Sequence, residues 1–199
     1  HEMRTPLNAI IGMSAIARRA DEIKKLHYCF EKIEIASRQL LNIINDILDI
    51  SKIEEGKFEL SITEVNLEKA LENAIVVVGV RMEQKHQELR LDLEDVFTHK
   101  LKSDELRLTQ VIINLLSNAS KYTHECGYIT LRVLDPTPNK DRSRLRFEVV
   151  DNGIGIAPEQ QDRLFEVFEQ ADGGKSCRYE GSGLGLAICK KIIHLMGGN

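Results

Sequence analysis

Residues able to carry phosphoryl chemistry fall in four short segments of the chain. His1 is followed by Glu2 and, a few positions on, by Pro6. A neutral imidazole nitrogen can accept a phosphoryl group when a neighbour takes the proton of the other nitrogen. Glu2 supplies such a neighbour. Pro6 has no N–H and clashes with the carbonyl four residues back, so it is expected to bend a helix that begins at or before residue 1 and to help present His1. Asn114 and Asn118 stand one helical turn apart on a segment otherwise lined by Val111, Ile112, Leu115 and Leu116. Such amide oxygens are hard ligands suited to Mg²⁺, or else partners for sheet-edge backbone groups. Asp151 ends an apolar strand containing Phe147, Val149 and Val150, and opens the run Asp-Asn-Gly-Ile-Gly-Ile. Gly153 and Gly155 let the backbone approach a flat ligand without an intervening Cβ. Gly181, Gly183 and Gly185 lead into a helix around Leu184, whose first amides can hold phosphate oxygens. No Gly-Lys-Ser/Thr follows these glycines, so this is not a Walker loop. The polar stretch 170–180 carries Lys175 and Arg178 and reads as a lid.

Taken in order, His1-Glu2-Met3-Arg4-Thr5-Pro6, the run 114–121, the run 151–156 and Gly181-Ser182-Gly183-Leu184-Gly185-Leu186 resemble the histidine, asparagine and two glycine boxes of a sensor histidine kinase core. The glycine boxes flank Phe165 and Phe168, and the resemblance spans nearly the whole chain. It implies ATP and Mg²⁺ as ligands, with His1 as phosphoacceptor and Asn118 as the magnesium ligand. Lys121 is then placed to reach a phosphate, Tyr122 to lie against adenine, and Asp151 to accept a hydrogen bond from the adenine amino group. Thr5 is either the residue that orients water for dephosphorylating a response regulator or a plain surface threonine. Glu180 stands where the family usually has glycine, which puts a carboxylate near the phosphates and weakens the expectation of tight nucleotide binding.

These groups must be positioned by two kinds of element. Phe30, Ile33, Ser37, Leu40, Ile44, Ile47 and Ser51 repeat at three and four residues, as do Met3, Leu7, Ile10, Ser14 and Ala17. The pattern predicts two long helices joined by a turn near residues 20–22. Two such helices cannot cover both apolar faces alone, so a hairpin that dimerises into a four-helix bundle is expected, a monomeric hairpin being the alternative. Gly56 marks a helix stop. From there the pattern predicts strand 58–65, helix 67–84, strand 88–93, helix 105–122, strands 128–134 and 144–150, and helices around 159–168 and 184–196. The expected fold class is α + α/β: a dimerisation and phosphoacceptor hairpin over 1–55, then over 56–199 an α/β sandwich of the histidine kinase-like ATPase (Bergerat) type. The resemblance also implies that both ends are cut, with closing strands still to come.

The 199 residues are 42% hydrophobic with a net charge of −4. That acidity argues against a nucleic-acid partner. No apolar run approaches the roughly 20 residues of a membrane helix, and no signal peptide is evident. The expectation is a soluble, cytoplasmic portion without direct membrane contact, the parent protein's anchoring being left open. Cys29, Cys126, Cys177 and Cys189 have neither disulfide nor zinc spacing, and the remaining histidines have no ligand pattern. The reading is an ATP-dependent autokinase acting as a homodimer on a response-regulator receiver domain. The alternatives are an ATPase of the gyrase and mismatch-repair superfamily, or a docking fragment without chemistry. Asn114 weighs against the first alternative, since an amide cannot replace the water-activating glutamate that those proteins carry.

Overall fold

A computed structural model describes residues 2–93, 101–135, 144–167 and 183–199. Helices α1 (Arg4–Ala17) and α2 (Ile23–Glu54) form an antiparallel hairpin. Its inward side on α2 is a heptad ladder: Cys29, Ala36, Ile43 and Ile50 are buried, and Leu26, Ile33, Leu40 and Ile47 between them are half-buried. The seam expected from the sequence overlaps this ladder in part. It shares Ile33, Leu40 and Ile47 with the ladder, but Phe30 and Ile44 are exposed, because Cys and Ala fill the positions where a small side chain lets the helices approach. On α1, Pro6 is buried and Ile10, Met13 and Ala17 are half-buried, whereas Met3 and Leu7 point outward. Among the described residues α1 starts at Arg4, so Pro6 sits in the first turn.

Helix α2 ends as its sequence predicts. Gly56 has φ +67°, and the bonds Gly56 N–H to Ile53 O (3.1 Å) and Lys57 N–H to Lys52 O (2.9 Å) close a Schellman turn.

The remaining elements are β1 (Thr63–Val65), α3 (Leu67–Gln84), β2 (Glu88–Leu93), β3 (Leu101–Ser103), α4 (Glu105–Tyr122), β4 (Tyr128–Leu134), β5 (Arg146–Asp151), α5 (Pro158–Gln161) and α6 (Gly185–Leu195). β2, β4 and β5 form a mixed sheet in the order β2-β4-β5, β2 parallel and β5 antiparallel to β4. Ile129, Leu131 and Val133 alternate onto one face of β4 and meet Leu71, Ala74 and Val78 of α3 and Leu108, Ile112 and Leu116 of α4. The strand expected over 58–65 shrinks to β1, which pairs with β3 rather than with the large sheet. Asp104 explains the segment before it: one carboxylate oxygen caps α4 through Arg107 N–H (3.0 Å), and the other accepts Ser61 N–H (2.9 Å). The helix expected over 159–168 is only α5, followed by turns such as Glu166 N–H to Arg163 O at 3.0 Å.

A second core joins the hairpin to this α/β unit. Ile50 of α2, Val111 of α4 and Leu184, Ile188, Cys189 and Ile192 pack together. The Asp49–Arg107 ion pair (2.7 Å) and the Glu54–Lys191 pair (2.9 Å) border it.

Candidate functional site

The site grows from α4, whose sequence places polar residues along one side of an otherwise apolar helix. Asn118 donates an amide hydrogen to Asn114 Oδ1 at 3.1 Å. That bond engages the nitrogen of Asn118 and not its oxygen. Asn114 in turn packs against the start of α6: a Cβ on Gly185 would overlap its carboxamide. The second glycine run and the asparagine pair are therefore fitted to each other. Gly183 takes φ +66°, and buried Leu184 begins α6 by accepting Ile188 N–H at 2.9 Å. The first amides of such a helix have no intrahelical acceptor and form its positive pole.

At the C-terminal end of α4 lies the first glycine run. The Asp151 carboxylate accepts Gly153 N–H at 2.8 Å, and Asn152 Oδ1 accepts Tyr128 N–H at 2.7 Å. Ile154 N–H reaches the Tyr122 carbonyl at 3.3 Å, and a Cβ on Gly153 would collide with that same oxygen. Gly153 is thus required by close approach, and Gly155 by φ +70°. Asp151 itself is exposed at the strand end. Lys121 is only 8% exposed, and its Nζ lies 4.7 Å from the centroid of the Tyr122 ring.

The structure therefore brings together Asn114, Asn118, Lys121, Tyr122, Asp151, Gly153, Gly155, Gly183, Leu184 and Gly185 on α4, the end of β5 and the start of α6. Phe165 lies beside α6, with Lys190 Nζ 5.6 Å from its ring centroid. Lys190, in the second turn of α6, belongs to none of the motifs. Glu2 and Thr5 belong elsewhere, at the beginning of α1. His1, Phe168, Lys175, Arg178 and Gly181 lie outside the described residues.

Among the described residues, α2 carries the contacts that link the two regions. In an antiparallel hairpin Thr5 stands level with about residue 35 of α2, and the Asp49–Arg107 contact is roughly 20 Å further along at 1.5 Å per residue. Asp46 lies in this contact zone. Burial, and then the neighbouring Asp49, push its carboxyl up to about 6. Burial, and then Asp46, push the Cys189 thiol up to about 12, which makes it inert.

Two family profiles match the chain. The His Kinase A (phospho-acceptor) domain covers residues 1–56. The histidine kinase-, DNA gyrase B-, and HSP90-like ATPase covers residues 103–199. Sensory/regulatory protein RpfC of Xanthomonas campestris pv. campestris is 38% identical over 200 residues, which is 100% of this chain and 27% of RpfC. Full-length ShkA, solved in complex with AMPPNP, superposes with a TM-score of 0.72 at 32% identity, over 99% of this chain and 40% of ShkA. Histidine kinase ThkA, solved in complex with response regulator protein TrrA, shares the fold with a TM-score of 0.66 at 24% identity, over 100% of this chain and 53% of ThkA. The chain thus spans about a quarter of the length of RpfC.

Proposed function

This chain belongs to the sensor histidine kinases of two-component signalling, and from that membership we propose that it is an ATP-dependent autokinase core. The observation that carries the reading is that both glycine runs pack on α4, Gly185 against Asn114 of the bonded Asn114–Asn118 pair and Gly153 against the Tyr122 carbonyl, with glycine where a side chain would collide. Asp151 accepts the adenine amino group and Tyr122 lies along the base. The first amides of α6 hold phosphate oxygens, joined by the basic residues Lys121, Lys175 and Arg178. Asn118 holds Mg²⁺ through Oδ1, and the chemistry so supplied is neutralisation of phosphate charge. Phe165, Phe168 and the glycines of the second run, Gly181 included, complete the proposed nucleotide-binding set by resemblance to the family.

An imidazole nitrogen of His1 attacks the γ-phosphorus. The N–P bond forms as the P–O bond to ADP breaks, and Glu2 takes up the proton from the other ring nitrogen. Nothing in the asparagine pair can act as a general base toward water, which favours the kinase over an ATPase. The phosphoryl group then passes to an aspartate of a response regulator, a class of partner seen with ThkA. Two copies of the chain associate through the hairpins. Thr5, exposed in the first turn of α1, orients water in a separate reaction, the hydrolysis of the regulator's aspartyl phosphate to free aspartate and inorganic phosphate.

One set of measurements tests this reading. Calorimetry is expected to show Mg²⁺-dependent ADP or ATP binding that weakens in Asp151→Asn. Labelled ATP is expected to give an acid-labile phosphate that is absent from His1→Gln. Thr5→Ala is expected to keep autophosphorylation while slowing regulator dephosphorylation by about tenfold. Absence of nucleotide binding, or base-stable label in His1→Gln, would overturn the proposal.

A further inference from the structure

The last turn of α4 is held by two side chains from the α3–β2 corner that take no part in the chemistry above. Lys85 places Nζ 2.7 Å from the Ser120 carbonyl oxygen, 3.2 Å from that of Lys121 and 2.8 Å from that of Thr123. Gln87, 9% exposed, places Nε2 3.1 Å from the Ser120 oxygen, 2.9 Å from that of Thr123 and 3.1 Å from that of His124. Its own Oε1 accepts the Ser120 hydroxyl at 2.8 Å, so the amide orientation is fixed at both ends. Carbonyls at a helix C-terminus lack intrahelical donors and form the negative pole, and an ammonium and an amide N–H suit both needs.

The carbonyl in the middle of this set behaves differently. Tyr122 O accepts Ile154 N–H from the first glycine run at 3.3 Å. Carbonyls 120, 121, 123 and 124 face the corner, while carbonyl 122 faces the ligand side. The corner is itself rigid. His86 has φ +53°, with His86 N–H to Glu83 O at 3.0 Å and Gln87 N–H to Met82 O at 2.9 Å, and Cys126 N–H bonds Lys85 O at 3.0 Å. Ser120 and Thr123 are fully buried in the clamped structure.

We propose that Lys85 and Gln87 are positioning residues for nucleotide binding: by clamping the end of α4 they aim the Tyr122 carbonyl, and through it the Asp151–Gly153 turn, at the base. The inference rests on the ATP reading of the site, and the two residues act through Tyr122 without touching the ligand.

The test uses the full-length protein with ADP and Mg²⁺ in calorimetry, together with amide exchange at Ile154. Gln87→Leu and Lys85→Met are each expected to raise Kd at least fivefold at unchanged stoichiometry, and to speed exchange at Ile154. A residue that merely supports folding would lower the melting temperature or the binding-competent fraction and leave Kd unchanged; that result overturns the proposal. Ser120→Ala removes one hydroxyl and serves if the larger changes unfold the protein: a smaller rise in Kd supports the clamp, and no change overturns it. Should the unmutated protein bind no ADP, the ATP reading fails. The exchange rate at Ile154 then decides the clamp by itself.

Discussion

At the scale of single residues, glycine serves opposite ends within one molecule. Gly185 has Asn114 where its Cβ would be, whereas a Cβ on Gly79 in α3 would meet nothing within 4 Å. Gly185→Ala is therefore expected to push the Asn114 carboxamide aside and raise the nucleotide Kd tenfold or more, despite alanine's better helix propensity. Gly79→Ala is expected to stabilise the protein by about 0.5–1 kcal/mol, through lost unfolded-state freedom, with Kd unchanged. Calorimetry and urea denaturation on the pair check both halves. Equal effects on binding would mean that the close approach at Gly185 has no functional weight.

At the scale of elements, the helices α3 and α4 and strands β2 and β4 were legible in full, because each is long enough for its period to declare itself. β3 was not, since three residues cannot display an alternation and its pairing with β1 bridges some 36 positions of sequence. The face that α2 turns to α1 was not legible in the sequence, because Cys29 and Ala36 look neutral there yet take buried helix–helix positions. In the site, the residue types that would meet nucleotide were visible as motifs. The corner that clamps them was not: a lysine and a glutamine before a strand carry no signal until the fold sets them against the end of α4. The seam between α2 and the α/β unit carries its own pH dependence. Folded protein holds the Asp46 proton up to about 6, against an ordinary value of 3.8, so the unfolded chain releases it first. Stability then falls as pH rises from about 4 to about 6 and stays reduced above. Asp46→Asn is expected to stabilise more at about pH 7.5 than at about pH 4.5 in urea denaturation. Equal gains at the two pH values would show that Asp46 is not held protonated there.

At the scale of the whole molecule, the hairpin exposes an apolar stripe that its own chain leaves uncovered, with Leu41 57%, Ile44 38% and Leu48 50% exposed on α2. This is the face proposed for the second copy. Leu41→Asp with Leu48→Asp is expected to convert a dimer into a folded monomer in light scattering, with nucleotide binding retained by the α/β unit. A monomer before mutation would leave the stripe without that role. The separation of roughly 20 Å along α2 between Thr5 and the α2–α4 contact has a different meaning. Under the proposed autokinase function, this distance keeps the nucleotide site and the start of α1 apart in the conformation described, so ATP binding alone brings no transfer within one copy. A stimulus then needs no influence on the bond being broken; it controls how often the two parties meet. Each 1.4 kcal/mol by which it loosens the Ile50–Ile188 seam multiplies those meetings about tenfold. On that proposed function, output is metered by encounter frequency, with the seam as its throttle.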